Sequence, residues 1–214
     1  MVEWITKRLG DIYDSFYRTS IPSNRARIKS MHALVNLCEL KDPYTKRHSV
    51  KVSAYATLLA KKIGLSITEI EQTRLASILH DIGKIGIKEE ILLKKSGLTK
   101  SEYNEIKKHS EIGAEILKPI KAMHEAIPLI RHHHENYDGT GYPDGLKGHK
   151  IPAIARIIAI ADVFDALTNK RAYRNAYSIK KALEIMEAEK GKKFDPLFLE
   201  KFKECIDNSK SKKI

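Results

Sequence analysis

Positions 80 to 84 of this chain read His80-Asp81-Ile82-Gly83-Lys84, and the first two side chains carry the most information about its function. An adjacent histidine and aspartate supply one nitrogen ligand and one carboxylate whose two oxygens can bridge two metal ions. We therefore interpret it as part of a metal site.

A second cluster of donors follows further along the chain. It runs His132-His133-His134-Glu135-Asn136-Tyr137-Asp138-Gly139-Thr140-Gly141-Tyr142-Pro143, and its histidines can complete the ligand shell of a second ion. Either segment alone is a short match with a real risk of being accidental. The two together, in this order, favour a metal-dependent phosphodiester hydrolase.

Length and composition set limits on the rest. With 214 residues, 42% of them hydrophobic, the chain is long enough for one substantial core, so we expect one main domain. The net charge of +12 favours an anionic partner such as a nucleotide, a nucleic acid or a membrane surface. Nucleic acid ranks last among these, because the sequence lacks a recognition motif and interleaved aromatic residues.

The cysteines and the longest apolar stretch bear on location. Cys38 and Cys205 are far apart and belong to no Cys-x-x-Cys pair, which is typical of a reducing cytosol. Residues 151–167 are interrupted by one arginine and two aspartates, so they are not expected to cross a membrane. The first 17 residues lack an apolar region of signal-peptide length. The sequence predicts a cytoplasmic protein without a membrane span.

Hydrophobic spacing near 3.6 residues dominates, and alternation typical of strands is nearly absent, so the sequence predicts an all-α fold. Helices are expected over residues 24–40 and 46–63, the second ending at Gly64. The apolar face predicted for this second helix carries Val50, Ala54, Thr57 and Leu58.

Local signals mark further helix starts and one loop. Ser66-x-x-Glu69 and Thr99-x-x-Glu102 match capping boxes, and Asp195-Pro196 combines an N-cap carboxylate with proline at the first helical position. Four glycines and a proline lie within residues 139–148, which predicts a loop with unusual backbone angles that can approach a ligand closely.

Three segments are expected along the chain. Residues 1–28 form an amphipathic helical segment or linker, residues 29–208 a catalytic domain, and residues 209–214 a basic, solvated tail. Three roles stay open for the first segment: packing on the core, pairing with another subunit in a homodimer, or linking to a regulatory domain.

The candidate metal ligands mix nitrogen and oxygen donors and include no thiolate. They are His48, His80, Asp81, His109, His133, His134 and Asp162. Such a set suits iron, manganese or zinc, and the lack of cysteines argues against a structural zinc site.

The chain resembles the HD-GYP family, bacterial cyclic di-GMP phosphodiesterases built on the HD-domain helical fold. The resemblance is carried by residues 42–49, 80–87, 133–143 and 155–168, and it extends in the expected order from about residue 30 to 205. Agreement in several ordered parts is highly specific.

The resemblance implies a binuclear metal centre. One ion would be held by His48, His80, Asp81 and Asp162, and Asp81 would bridge to a second ion held by His109, His133 and His134. A hydroxide between the two ions would then open cyclic di-GMP to linear pGpG, with further cleavage to GMP left open. Among the three adjacent histidines, the resemblance selects His133 and His134 over a pair that includes His132.

Further roles also follow from the resemblance. Asp81 and Lys84 are the expected catalytic residues, Lys84 as a point charge at the scissile phosphate. Arg171 and Arg174 match positions that contact the substrate. Tyr142 is a candidate substrate contact, and the loop around it is open to two further roles, fixing a turn or binding a signalling protein.

Some family members carry a glutamate one helical turn before the first histidine and hold a third metal. Tyr44 occupies that position here, and Asp42 lies on a different side of the expected helix, so two metals are expected. Two alternative functions remain: cleavage of another cyclic dinucleotide, or a cyclic di-GMP sensor with little turnover.

Overall fold

The computed structural model describes residues 45–94, 96–170 and 175–211, and within them it contains helices and loops but no named strand. The helices are α1 Thr45–Lys62, α2 Ile67–Leu79, α3 Glu89–Leu92, α4 Lys100–Lys107, α5 His109–Leu117, α6 Ile127–Arg131, α7 Ala153–Thr168, α8 Ile179–Ala188 and α9 Pro196–Ser211. Short 3-10 turns cover Ile82–Gly86, Lys121–Met123 and Gly148–Lys150. The predicted all-α fold is confirmed. The predicted segment 1–28 and helix 24–40 lie outside the described residues.

Three helix starts lie where the sequence predicts them. The Ser66 hydroxyl accepts the backbone N–H of Glu69, whose carboxylate accepts the backbone N–H of Ser66, which completes a capping box before α2. Thr99 and Glu102 form the same reciprocal pair before α4. Asp195 accepts two backbone N–H groups in the first turn of α9. These contacts satisfy donors that a helix leaves unpaired at its N-terminus.

The apolar face predicted for α1 is wrong, although the helix itself begins and ends within one residue of the prediction. Val50 is 50% exposed and Leu58 40% exposed, and Ala54 is exposed too. The fully buried residues of α1 are instead Val52, Ala56, Leu59 and Ala60. This stripe continues towards the N-terminus through His48, a polar residue, so hydrophobic spacing alone identifies the wrong side.

Helix α7 is the central element of the fold. It is apolar on almost every side, as expected for a helix surrounded by others, and Ile157, Ile158 and Phe164 are almost completely buried. Phe164 meets Tyr55 of α1 and Phe202 of α9 edge to face, each at 5.0 Å between ring centroids. In the described ranges, no helix has both the length and the apolar character that a membrane crossing requires.

Gly83 permits a direct backbone crossing between the 3-10 turn after Asp81 and helix α5. A Cβ atom at position 83 would lie 1.8 Å from the carbonyl oxygen of His109 and 2.5 Å from the backbone nitrogen of Gly113. Only glycine fits such an approach. The crossing therefore brings the start of α5 against the end of α2, where Asp81 lies.

The glycine-rich loop has the unusual backbone angles that the sequence predicts, with positive φ at Gly139, Gly145 and Gly148. The buried Glu135 holds this loop, because its carboxylate oxygens accept the backbone N–H groups of Asp144 (2.8 Å) and Leu146 (3.1 Å). A carboxylate that accepts main-chain hydrogen bonds fixes the backbone it contacts. The loop is thereby fastened to the turn that follows α6.

Candidate metal centre

The structure brings all seven predicted donors together. His48 comes from α1, His80 and Asp81 from the end of α2, His109 from the start of α5, His133 and His134 from the turn after α6, and Asp162 from α7. Among the described residues they form three clusters: the first half-site (His48, His80, Asp162), the trihistidine half-site (His109, His133, His134), and a cluster that joins the two (His80, Asp81, His133). The ligand atoms within each cluster lie within 4.8 Å of one another.

Asp81 lies between the two half-sites. Its Oδ2 is 3.4 Å from His80 Nε2 and 3.8 Å from His48 Nε2, whereas its Oδ1 is 3.5 Å from His109 Nε2. The two oxygens of one buried carboxylate thus face opposite half-sites. This is the arrangement that a carboxylate bridging two ions requires.

Three of the imidazoles are oriented by the main chain. The Nδ1 atoms of His80, His109 and His133 lie 2.7, 2.7 and 2.6 Å from the carbonyl oxygens of Ser77, Ile106 and Ile130, each three residues earlier. With its proton on Nδ1, each ring presents the lone pair of Nε2 to the centre. Such partners fix both the tautomer and the orientation of a metal-binding histidine.

One buried atom in the centre supports the idea that these donors fit metal ions. His80 Nε2 is buried and has no hydrogen-bond partner among the described residues. A buried polar atom without a partner is costly, and an ion beside it would remove that cost. The mixed nitrogen and oxygen donors suit iron, manganese or zinc.

The trihistidine half-site favours neutral rings. Burial, together with the neighbouring His80 and His109, lowers the pKa of His133 to about 3. Burial is also the main cause that lowers the pKa of His134 and of His109. Desolvation disfavours the charged form of an imidazole, so these three rings are ready to act as ligands at neutral pH.

In the first half-site the pKa of the imidazole of His48 is raised, whereas the pKa values in the trihistidine half-site are lowered. Burial lowers the pKa of His48, but hydrogen bonds to Asp162 and Asp165 outweigh it and raise this pKa to about 9. His48 Nε2 lies 3.2 Å from Asp162 Oδ1, and His48 Nδ1 lies 2.7 Å from Asp165 Oδ2. Although burial opposes it, the hydrogen bond from His48 also holds the pKa of Asp162 well below its usual range.

Lys84 lies beside the bridging carboxylate. Its Nζ atom is 2.7 Å from Asp81 Oδ2, and its side chain is 25% exposed. Burial opposes ionisation of Asp81, but Lys84 and His80 hold the pKa of this carboxyl well below its usual range. The ammonium group therefore reaches the centre, while its predicted contact with a phosphate remains a prediction.

Of the other three predicted substrate contacts, the structure describes Tyr142 but not Arg171 or Arg174. The ring of Tyr142 lies 4.9 Å from the ring of His134, on the trihistidine side of the centre, and Lys107 Nζ lies 5.3 Å from the centroid of the Tyr142 ring. Arg171 and Arg174 lie outside the described residues. So do Asp42 and Tyr44, on which the expected number of metals depends.

Two further polar side chains, His132 and Asp165, lie next to the predicted donors. His132 turns away from the centre, because its Nε2 lies 2.8 Å from an oxygen of Asp144. Sequence analysis did not identify the partner of His48, which is the buried Asp165. The sequence did contain a signal for Asp165. This residue lies in an apolar helix, one turn after Asp162, and an unpaired carboxylate in such a helix is costly, so a partner was to be expected.

Comparison with known proteins identifies the kind of domain. The sequence model of a family described as HD domain matches residues 32–197. The cyclic di-GMP phosphodiesterase response regulator RpfG of Xanthomonas campestris is 41% identical over 181 residues, which cover 84% of this chain and 46% of RpfG. The 3'3'-cGAMP-specific phosphodiesterase 3 of Vibrio cholerae is 38% identical over 77% of this chain and 36% of its own length. The chain thus spans less than half the length of these relatives.

Solved structures share the fold. An HDGYP protein from Bdellovibrio bacteriovorus has a TM-score of 0.64 at 18% identity, covering 96% of this chain and 71% of that chain. The HD domain of the Listeria monocytogenes phosphodiesterase PgpH has a TM-score of 0.60 at 20% identity, covering 84% of this chain and 98% of that one. At these identities the likeness concerns the helical architecture alone.

Proposed function

This chain belongs to the HD domain family, and from that premise we propose that it is a metal-dependent phosphodiesterase that hydrolyses cyclic di-GMP. The predicted resemblance to the HD-GYP family is confirmed at the level of the family by relatives named cyclic di-GMP phosphodiesterases, at 41% and 39% identity. The activity, its substrate and its residues are our proposal, because the chain spans less than half of those relatives.

One observation carries the proposal: two clusters of donors from distant parts of the chain meet on opposite sides of Asp81. Divalent ions, when bound there, would lower the pKa of a coordinated water and stabilise the charge that develops at phosphorus. Mixed imidazole and carboxylate donors favour iron or manganese, and zinc also suits them. We propose two ions, with Asp81 shared between the half-sites.

The protein's own groups have distinct tasks in this proposal. The trihistidine half-site offers neutral Nε2 atoms, so no proton has to leave it before an ion is held. Asp81 keeps its carboxylate ionised and available to both sides. Lys84, 2.7 Å from that carboxylate, would turn to a non-bridging oxygen of the scissile phosphate and offset its charge.

Substrate contacts would lie around this centre. Tyr142, whose ring is next to His134, would border the bound nucleotide on the trihistidine side. Arg171 and Arg174 are kept as substrate contacts on the strength of the resemblance. The expected product is linear pGpG, with GMP as the product of a second round of cleavage.

A second candidate substrate is 3'3'-cGAMP. A relative that is 38% identical over 164 residues, which cover 77% of this chain, is named for that nucleotide. The two substrates differ in one base, so the discrimination lies in groups around the centre and not in the metal ligands. A competition assay with both nucleotides separates these two functions.

The test is anaerobic purification, metal analysis, and incubation with cyclic di-GMP and with 3'3'-cGAMP, followed by identification of the products. Two ions per chain and release of pGpG are expected. Binding of cyclic di-GMP without any linear product, with iron, manganese or zinc loaded in turn, would instead identify a nucleotide sensor. A loaded chain that neither binds nor cleaves either nucleotide would exclude the proposal.

Location and further partners are part of the proposal as well. We place the reaction in the cytoplasm, supported by two cysteines that are far apart in sequence. The amphipathic segment 1–28 is proposed to contact a second copy of the chain or a regulatory domain. The glycine-rich loop is an additional candidate surface for a signalling protein.

A further inference from the structure

Helices α1 and α7 are joined beside the first half-site by a connected set of polar side chains, here called the polar ring. Its members are His48 and Lys51 on α1, Asp165 on α7, and Asn169 at the C-cap of α7. Because His48 and Lys51 are three residues apart, they lie on the same side of α1. The ring therefore joins two helices that each carry a predicted metal ligand, His48 on α1 and Asp162 on α7.

The hydrogen bonds of the ring converge on the carboxylate of Asp165. His48 Nδ1 donates to Asp165 Oδ2 at 2.7 Å, and Asn169 Nδ2 donates to the other oxygen, Asp165 Oδ1, also at 2.7 Å. The Asn169 side-chain oxygen accepts from Lys51 Nζ. Both oxygens of Asp165, which is 2% exposed, are thus in use, so its carboxylate has no freedom to rotate.

His48 differs in this respect from His80, His109 and His133, the three other imidazoles of the candidate centre for which a partner at Nδ1 has been described. Those rings donate to main-chain carbonyl oxygens, which no side-chain substitution removes. His48 depends on a carboxylate that is itself oriented by Asn169 and Lys51. Partners of this kind set the tautomer and direction of a metal-binding imidazole.

We propose that Asp165, Asn169 and Lys51 are positioning residues that aim His48 Nε2 into the first half-site. The inference rests on the proposed function, since it presumes that His48 is a metal ligand. These three residues are not among the predicted metal ligands. The first half-site thus depends on side chains for the orientation of His48, whereas His109 and His133 of the trihistidine half-site are oriented by main-chain carbonyl groups.

Removal of the carboxylate is expected to have the largest effect. Asp165→Ala leaves His48 free to change tautomer and orientation, so binding of an ion at the first half-site should weaken roughly 10- to 100-fold, the usual cost of losing such a partner. Asp165→Asn keeps the shape of the side chain, but it has one acceptor where the ring needs two. The affinity of Asp165→Asn for an ion at the first half-site should therefore lie between the affinities of Asp165→Ala and the wild type.

The outer members should have smaller effects of the same kind. Asn169→Ala frees the carboxylate of Asp165 to rotate but leaves its contact with His48 available. Ion binding at the first half-site should therefore weaken about tenfold, the lower end of the range given for Asp165→Ala. Lys51→Met should weaken binding less than Asn169→Ala. Lys61→Met is the matched control, because Lys61 is exposed on the same helix and its side chain is outside the ring.

The experiment is calorimetric titration of the full metal-free chain with Co²⁺, compared across these variants. The binding step that disappears in His48→Gln identifies the first half-site. Weaker binding at that step alone, in the order Asp165→Ala, Asp165→Asn, Asn169→Ala, with Lys61→Met unchanged, is the expected result. Equal weakening of both steps would show general destabilisation and overturn the inference, and so would unchanged binding in Asp165→Ala and Asn169→Ala.

A second readout needs no metal. The Nδ1–H proton of His48, observed by NMR in the metal-free chain, should exchange slowly with solvent in the wild type and in Lys61→Met. It should exchange rapidly in Asp165→Ala and at an intermediate rate in Asn169→Ala. If the wild type binds no metal but this order is seen, the proposed metal centre fails while the ring stands. If the order is absent, the ring itself is excluded.

Discussion

The two half-sites are built from similar donors and yet have opposite electrostatics. In the trihistidine half-site, burial holds the pKa of His133 near 3. In the first half-site, His48 lies between Asp162 and Asp165, and its pKa is raised to about 9. The difference indicates that the carboxylates around a buried imidazole, and not burial alone, decide whether that imidazole carries a proton.

This difference has a consequence for metal binding. At pH 7, an ion can bind the trihistidine rings without displacing a proton from them, whereas His48 must first lose one. Because pH 7 is two units below a pKa of about 9, that loss costs about 3 kcal/mol. The trihistidine half-site is therefore expected to fill first.

The largest expected effect comes from removing the group that the two half-sites share. Asp81→Ala should reduce the hydrolysis of cyclic di-GMP by at least about a thousandfold, because both ions lose a ligand and their electrostatic contribution of several kcal/mol. Metal content should fall at both half-sites, while circular dichroism should show unchanged helix content. Undiminished turnover in this variant would exclude Asp81 from the reaction.

A smaller effect, confined to one half-site, is expected from Gly83→Ala. The new Cβ atom would lie 1.8 Å from the carbonyl oxygen of His109, so α5 must move. The free energy of unfolding should fall by about 3 kcal/mol, near the upper end of the cost of overpacking. Chemical denaturation measures this loss, and metal titration should show that affinity, relative to the wild type, falls more at the trihistidine half-site than at the first.

Gly97→Ala is the matched control for that substitution, since a Cβ atom at position 97 would meet nothing within 4 Å. Its stability and metal binding should equal those of the wild type. If Gly83→Ala behaved like this control, the backbone crossing would not position His109, and the two half-sites would differ in charge alone.

The next prediction concerns the pH dependence of metal affinity. Between pH 7 and about 9, affinity at the first half-site should rise about tenfold per pH unit, because each ion displaces one proton from His48. Affinity at the trihistidine half-site should be nearly constant, since His133 is neutral throughout this range. Titrations at pH 7, 8 and 9 measure both slopes, and equal slopes would contradict the assigned difference.

The last prediction concerns the stability of the metal-free chain. The folded-state pKa of His48 is raised, so its contribution is present below about pH 6.5 and is lost as pH rises through about 9. The folded-state pKa of His133 is lowered, so stability falls as pH drops from about 6.5 towards 3. Urea unfolding over this range, compared with His48→Gln and His133→Gln, should show each variant losing one of the two dependences.

Much of the fold could be predicted because its signals are local. Ser66 and Glu69 contact each other within a single helical turn, so a capping box can be recognised wherever the chain later packs. The spacing of apolar residues likewise predicted helices and excluded strands, because the backbone hydrogen bonds of a helix join residues four apart. The donors of the candidate centre were predicted from residue chemistry and order, except that the choice of His133 and His134 among three adjacent histidines came from the family resemblance.

Features that depend on how one helix is rotated against another could not be predicted. The sequence suggested that Val50 lies on the apolar face of α1, but packing buries the opposite stripe that contains His48. His132 and His133 are neighbours in the chain, yet one contacts Asp144 and the other the centre, because successive helical or turn residues point in different directions.

The sequence by itself thus determined an all-α chain, its helix starts and a set of imidazole and carboxylate donors, since each depends on residues within about one turn or on side-chain chemistry. Only the tertiary structure decided that Asp165 is the partner of His48, 117 positions away, and that Gly83 crosses α5. The physical reason is that such contacts arise from close packing of distant helices, where a rotation or a single Cβ atom changes which atoms meet.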